Sequence, residues 1–183
     1  MTLADQVLDE LRPGLAPEVL SQIPDLSKML AKTRRICCYG VGREGLMIKA
    51  LAMRLYHLGL DAHVVGDMAT PPIGAGDTLF VSAGPGTFST VAALSGVAQN
   101  AGAQVICVTA EPSGEIPRSV KKVIHLPAQT MAADQGDAVT SILPMGSLYE
   151  ALMFLFFELL VLDLRERLDI APDAMRANHT NLE

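Results

Sequence analysis

Between residues 35 and 126, short apolar runs alternate with stretches whose apolar residues recur at helical spacing. Continuous apolar runs mark strands buried on both faces, and their alternation with helices is the pattern of a parallel sheet covered on two sides. The runs predict strands at Arg35–Tyr39, Ala62–Gly66, Thr78–Ser82, Ala103–Thr109 and Lys122–Leu126. Helices are expected at about Glu44–Leu58 and Phe88–Asn100, each followed by a glycine, Gly59 or Gly102, where a helix C-terminus favours one. A short helix around Ser113–Lys121 would join the last two strands, and Asp67–Asp77, with its Pro71-Pro72 pair, reads as a loop.

Ahead of the sheet, residues 1–31 read as an arm of two helices separated by Arg12-Pro13-Gly14. Thr2 and Asp5 make a capping-box pattern at the start of the first, and Pro24 breaks or kinks the second. Behind the sheet, residues 127–144 follow neither period, and an irregular segment of that length is a lid candidate. Met145–Leu168 predicts a long helix, followed by a tail over residues 169–183. Its Leu148–Leu164 stretch is strongly apolar, but Glu150, Glu158 and Asp163 interrupt it, which argues against a membrane span. A helix buried on most sides, partly by a partner subunit, fits better.

At 183 residues the chain suits one well-buried α/β domain and is too short for two ordinary ones. Its net charge of −6, with no basic run, argues against nucleic acid and anionic membrane as partners. Cys37, Cys38 and Cys107 sit in apolar runs at spacings that suit neither zinc nor a disulfide framework. Reduced thiols point to the cytosol, and the acidic N-terminus, with Asp5, Asp9 and Glu10, does not read as a secretory signal.

The candidate chemistry centres on residues 79–91, an apolar strand entering Gly84-Pro85-Gly86 and then a helix. A loop of small residues bares backbone N–H groups, and the helix start adds unpaired N–H groups and a positive dipole end. Ser82, Thr87, Ser89 and Thr90 add hydroxyls that would complete a phosphate cradle. The same residues also suit an ordinary β–α turn with a Ser/Thr cap. A second glycine turn, Gly40-Val41-Gly42-Arg43-Glu44-Gly45, fits the dinucleotide pattern G-x-G-x-x-G, with Asp67 near where a ribose-binding acid would stand. It equally suits close strand–helix packing, and Arg43 there would suit a single phosphate on a sugar.

The run from Tyr39 to Gly59 resembles the sugar isomerase (SIS) domain family, and within it the 6-phospho-3-hexuloisomerases. Thr70-Pro71-Pro72-Ile73 with Gly76-Asp77, Pro144-Met145-Gly146-Ser147-Leu148-Tyr149-Glu150 and the terminal His179-Thr180-Asn181-Leu182-Glu183 are similar to it as well. The resemblance implies a flavodoxin-like, three-layer domain with a five-stranded parallel sheet, no metal or cofactor, and a phosphorylated sugar as ligand. It also implies a dimer or, in preference, a tetramer with sites shared between subunits. The implied reaction moves a carbonyl between C3 and C2, converting 6-phospho-3-hexulose into fructose 6-phosphate through an enediol. Glu150 matches the family's carboxylate and becomes the candidate base, and His179 matches its tail histidine, placed to reach a neighbouring subunit's site. Gly42, Arg43, Ser82, Gly84, Gly86, Thr87, Ser89 and Thr90 become candidate substrate-binding residues. A non-catalytic or altered-specificity phosphosugar-binding protein, a sensor or regulator, is the first alternative, and a dinucleotide-binding protein the second.

Two departures from the family pattern fall in the site. Glu44 stands where Ser is usual, and Ser82-Ala83-Gly84-Pro85-Gly86-Thr87 stands where the family shows Ser-Gly-Ser-Gly-Glu-Thr. Gly84 thus replaces a hydroxyl, Gly86 replaces a glutamate, and Glu44 brings negative charge toward a phosphate.

Overall fold

The structure is a computed structural model and describes residues 1–182, so that Glu183, the last residue of the expected tail, lies outside it. Five parallel strands form one sheet in the order β2-β1-β3-β4-β5. They are β1 (Ile36–Tyr39), β2 (Ala62–Val64), β3 (Thr78–Ser82), β4 (Gln104–Thr109) and β5 (Lys122–His125). Every expected strand is present, and β2 ends two residues early, where Val65 leaves the ladder for an isolated bridge to Asp67.

Alternation along the strands builds two cores. Ile36, Cys38, Phe80, Ile106, Val108 and Ile124 face one side of the sheet. There they meet α1 (Leu3–Leu11), α3 (Ile23–Leu30), α4 (Gly42–His57) and α7 (Ser147–Arg167). Cys37, Leu79, Val81, Val105 and Cys107 face the other side and pack on α5 (Ser89–Asn100) and α6 (Glu115–Ser119). The helix–sheet–helix layering follows from strands apolar on both faces. All three cysteines are buried free thiols within these layers.

The N-terminal arm is more broken than its periodicity predicts. The capping box forms, with Asp5 N–H donating to Thr2 Oγ1 at 3.1 Å and Thr2 N–H to Asp5 Oδ2 at 2.8 Å. The expected second helix is divided into α2 (Pro17–Leu20) and α3, with Pro24 in the first turn of α3, where its missing N–H costs no hydrogen bond. At the other end, α7 is the 21-residue helix the apolar run announces, and α8 (Pro172–Ala177) follows in the tail. Among the described residues no helix is long and apolar enough to cross a membrane.

Residues 127–144 contain only two short 3-10 turns. Polar side chains tie them down. Gln129 Oε1 accepts from the N–H groups of Thr140 and Ser141, and Glu10 of α1 accepts from Ser141 Oγ and the Ile142 N–H.

Candidate functional site

Strand order reverses direction between β1 and β3, and the crevice at the carboxyl ends of those strands is where open α/β sheets bind ligands. A cavity of about 290 Å³ lies there. The turn after β1 contributes Arg43 and Glu44, the loop after β3 contributes Pro85 and Phe88, and the start of α7 contributes Tyr149 and Glu150. Met131 and Met145, from the irregular segment and its end, close one wall. Larger hollows line Leu162–Pro172 and Gln99–Val105, away from the strand carboxyl ends: the first lies at the far end of α7 and the second at the start of β4.

Glu150 enters this cavity from the first turn of α7. That turn is held in place by close contact, because a Cβ on Gly146 would lie 2.6 Å from the Met131 amide nitrogen. Gly146 and Met145 both have positive φ, 77° and 54°, and for Met145 this is a strained backbone beside the cavity. The Glu150 residue is only 8% exposed, and the Arg43 Nε lies 2.9 Å from its Oε2. Burial raises the Glu150 pKa and the Arg43 charge only partly opposes that. Arg43 Nη1 also donates to Ser147 Oγ at 3.4 Å, so the turn after β1 grips the start of α7 at two points.

Glu44 is the residue whose role its local sequence conceals. It lies in the first turn of α4, which suits an acid near a helix dipole, yet its side chain turns inward and is 8% exposed. Oε2 accepts the Ser82 hydroxyl at 2.5 Å and the Gly84 N–H at 3.0 Å. Ser82 itself is fully buried, and its oxygen lies 3.2 Å from the Tyr149 hydroxyl. Burial raises the Glu44 pKa, the bonds from Ser82 and Gly84 lower it, and the Glu150 charge adds to the rise. Tyr149, wholly buried beside Glu44, is pushed well above the usual phenol range by desolvation.

The two sequence departures therefore meet in space. A Cβ on Gly84 would lie 2.6 Å from Glu44 Oε1 and 2.8 Å from Tyr149 Cε1, so the absent side chain at 84 makes room for the carboxylate at 44. A phosphate on Ser82 and Gly84 would have to displace Glu44. Gly86, at φ 84°, serves another contact: its Cβ would lie 2.8 Å from the Gly114 Cα, ahead of α6. Thr87 is exposed and donates to Glu115 Oε2 at 3.2 Å, while Ser89 and Thr90 are exposed at the start of α5. Among the described residues no side chain caps that helix. Gly42 is exposed at the mouth of the cavity, with a φ of 56° and no atom near a would-be Cβ.

His179 lies elsewhere in the same chain. Its ring sits 5.3 Å from that of His57 at the end of α4, and Asn178 Nδ2 donates to the His57 carbonyl at 3.0 Å. Glu44 and Arg43 are at the other end of that 16-residue helix, about 24 Å long. Of the dinucleotide features, Asp67 is exposed, and Gly40 and Gly45 pack against each other, with a Cβ on Gly45 meeting the Gly40 carbonyl oxygen at 2.5 Å. Sequence reasoning missed Tyr149, although it immediately precedes Glu150, and it missed the inward turn of Glu44.

A carboxylate-bearing cavity at the switch point of a 2-1-3-4-5 sheet defines an α/β protein with a small-molecule site. Residues 29–155 match the SIS domain model, and the chain belongs to that family. It is 32% identical over 178 residues to the 3-hexulose-6-phosphate isomerase of Bacillus subtilis (strain 168), covering 97% of this chain and 96% of that one. The Mycobacterium gastri 3-hexulose-6-phosphate isomerase is 33% identical, with 97% of this chain and 88% of the relative covered. Among solved structures, a Methanococcus jannaschii protein for which the function of 3-hexulose-6-phosphate isomerase was inferred superposes with a TM-score of 0.83. It is 25% identical, and the match covers 96% of this chain and 98% of that one.

Proposed function

We propose that this protein is a phosphosugar isomerase that interconverts 6-phospho-3-hexulose and fructose 6-phosphate. The observation that carries the proposal is the buried Glu150 carboxylate, set in the cavity at the start of α7 with Arg43 against it. A base placed there takes the proton from C2 of the 3-ketose and returns it to C3 of the enediol. Relatives bearing that activity in their names, at about one-third identity over nearly the whole chain, support the substrate. The phosphate docks at the mouth of the β3–α5 loop, where Thr87, Ser89 and Thr90 are exposed and, among the described residues, no side chain caps the start of α5. Ser82, Gly84 and Gly86 shape that loop from below.

The working unit is a cytoplasmic homo-oligomer, a tetramer in preference to a dimer. Apolar side chains left exposed on α4 (Leu46, Met53) and α7 (Phe154, Leu162) support a subunit interface. Because His179 sits at the far end of α4 within its own chain, it serves the site of a neighbouring subunit, where its imidazole handles a hydroxyl proton or ring opening. One observation favours a second reading, a phosphosugar sensor without turnover: the Glu44 carboxylate already fills the Ser82 and Gly84 donors.

Thermal melting followed by a turnover assay tests both. Fructose 6-phosphate should raise the melting temperature, as any ligand of the native state does, and NAD or NADP should not. Formation of fructose 6-phosphate from 6-phospho-3-hexulose then marks an enzyme, and stabilisation without turnover a sensor. A shift by the nucleotides alone would overturn the phosphosugar reading.

A further inference from the structure

We propose that Glu44 is a second catalytic carboxyl of this site, passing a proton through Oε1 to the ketose oxygen while Glu150 removes the carbon-bound proton. The inference rests on the isomerase reading and adds to it the acid that a single base cannot supply. Glu44 is more than nine-tenths buried yet lines the cavity. Both of its hydrogen bonds fall on Oε2, and among the described residues none donates to Oε1. One oxygen is thus anchored to β3 and its loop, while the other is left for a bound molecule or for its own proton.

The neighbours of the two carboxyls divide the roles. Burial raises the Glu150 pKa, but the Arg43 guanidinium against it partly offsets that and favours the ionised form that a base requires. Around Glu44 stand Glu150 and Tyr149 from α7 and Cys107 from β4, acids or weak acids all, and among the described residues no cation is bonded to it. Burial and the Glu150 charge favour the protonated form at that position and outweigh the Ser82 and Gly84 bonds to Oε2, which favour the ionised one; a pair of carboxyls of which one alone carries a guanidinium is an acid–base assignment.

The step balances. Glu150 takes the C2 proton as the C2–H bond breaks, and the electron pair forms the C2–C3 double bond. The C3 carbonyl oxygen takes the proton from Glu44 Oε1, giving the enediol. Glu44, now a carboxylate, then accepts the proton of the C2 hydroxyl as that oxygen becomes the carbonyl, and Glu150 delivers its proton to C3. Both side chains end as they began, and no other reactant is consumed.

The test is steady-state isomerisation of 6-phospho-3-hexulose by the full chain, comparing the parent with Glu44→Gln. Glutamine keeps an acceptor for Ser82 and Gly84 but cannot transfer the proton. We expect kcat to fall about 100-fold or more with KM changed less than about threefold, the usual size of a lost general acid. The basic limb of the kcat–pH profile should vanish with it. Infrared spectra without substrate supply a readout independent of turnover: a carboxylic-acid C=O band persisting above about pH 5, where an ordinary glutamate is ionised, and weaker in the variant, which keeps only the Glu150 carboxyl of the pair. An undiminished kcat in Glu44→Gln, a change confined to KM, or a band of equal strength in parent and variant overturns the role of Glu44 and leaves the isomerase standing. A parent that is stabilised by fructose 6-phosphate but forms none from the hexulose overturns both.

Discussion

The turn after β1 and the loop after β3 are both short, glycine-rich and followed by a helix, yet their glycines admit different things. In the first, Gly40 and Gly45 let strand and helix backbones touch, and the residues between them carry Arg43 and Glu44 over the cavity. In the second, Gly84 admits the Glu44 carboxylate and the Tyr149 ring, while Gly86 admits the backbone at Gly114. A run of small residues announces that something comes close, and only tertiary structure says what. Here a carboxyl group does come to the β3 loop, and it is the chain's own.

Substitutions that restore a Cβ should separate the two turns. Gly45→Ala faces a backbone carbonyl that cannot move aside, and we expect a loss of about 3 kcal/mol in denaturant unfolding. Gly84→Ala faces side chains that can shift, so about 1–2 kcal/mol is expected. Combining it with Glu44→Ser should recover much of that loss, and a double-mutant cycle with no coupling would deny that the two positions share one space. At the loop's outer edge, Thr87→Ala should change stability by less than about 0.5 kcal/mol. Its effect on fructose 6-phosphate affinity should be about five- to tenfold by titration calorimetry, the value of one hydrogen bond to a charged group.

The smallest signal expected is in the pH dependence of stability. Glu44 and Glu150 have folded-state pKa values raised above the ordinary 4.5, so the folded chain keeps protons that the unfolded chain releases. Their contribution is fully present below pH 4.5 and is lost as pH rises through the folded values. Asp77 works in the opposite direction. Burial disfavours its charge, but bonds from Arg34 and the Gly74 N–H more than compensate and hold it below 3.8, so its contribution is lost as acid protonates it. Melting scans should show a flatter decline on the alkaline side for Glu44→Gln than for the parent, with the acid side unchanged.

The sheet was legible because its strands are apolar on both faces, a pattern that local sequence carries whole. Capping at Thr2 and the long α7 were legible for the same reason: each is decided within a few residues or by an unbroken period. The division of the arm at Ser21-Gln22 was not, because Pro24 is as welcome in the first turn of a new helix as it is disruptive inside an old one. Glu44 was read as a charge that would repel phosphate, since its position at a helix start says nothing of Ser82 and Gly84, 38 and 40 residues away. The hydroxyl of Ser82 was visible in the sequence, but the pleat that buries it under Tyr149 was not. His179 shows a different limit, because the tail's place at the far end of α4 makes any part in the chemistry a matter between subunits.

The proposed isomerisation depends on Glu150 acting as the base in the cavity at the carboxyl ends of β1 and β3. The direct measurement is the rate at which the parent and Glu150→Gln convert 6-phospho-3-hexulose into fructose 6-phosphate, with product-induced melting shifts recorded on both. If Glu150 is the base, the parent turns over and the variant is slowed about 100-fold or more while still showing the shift. A variant as fast as its parent would contradict that role.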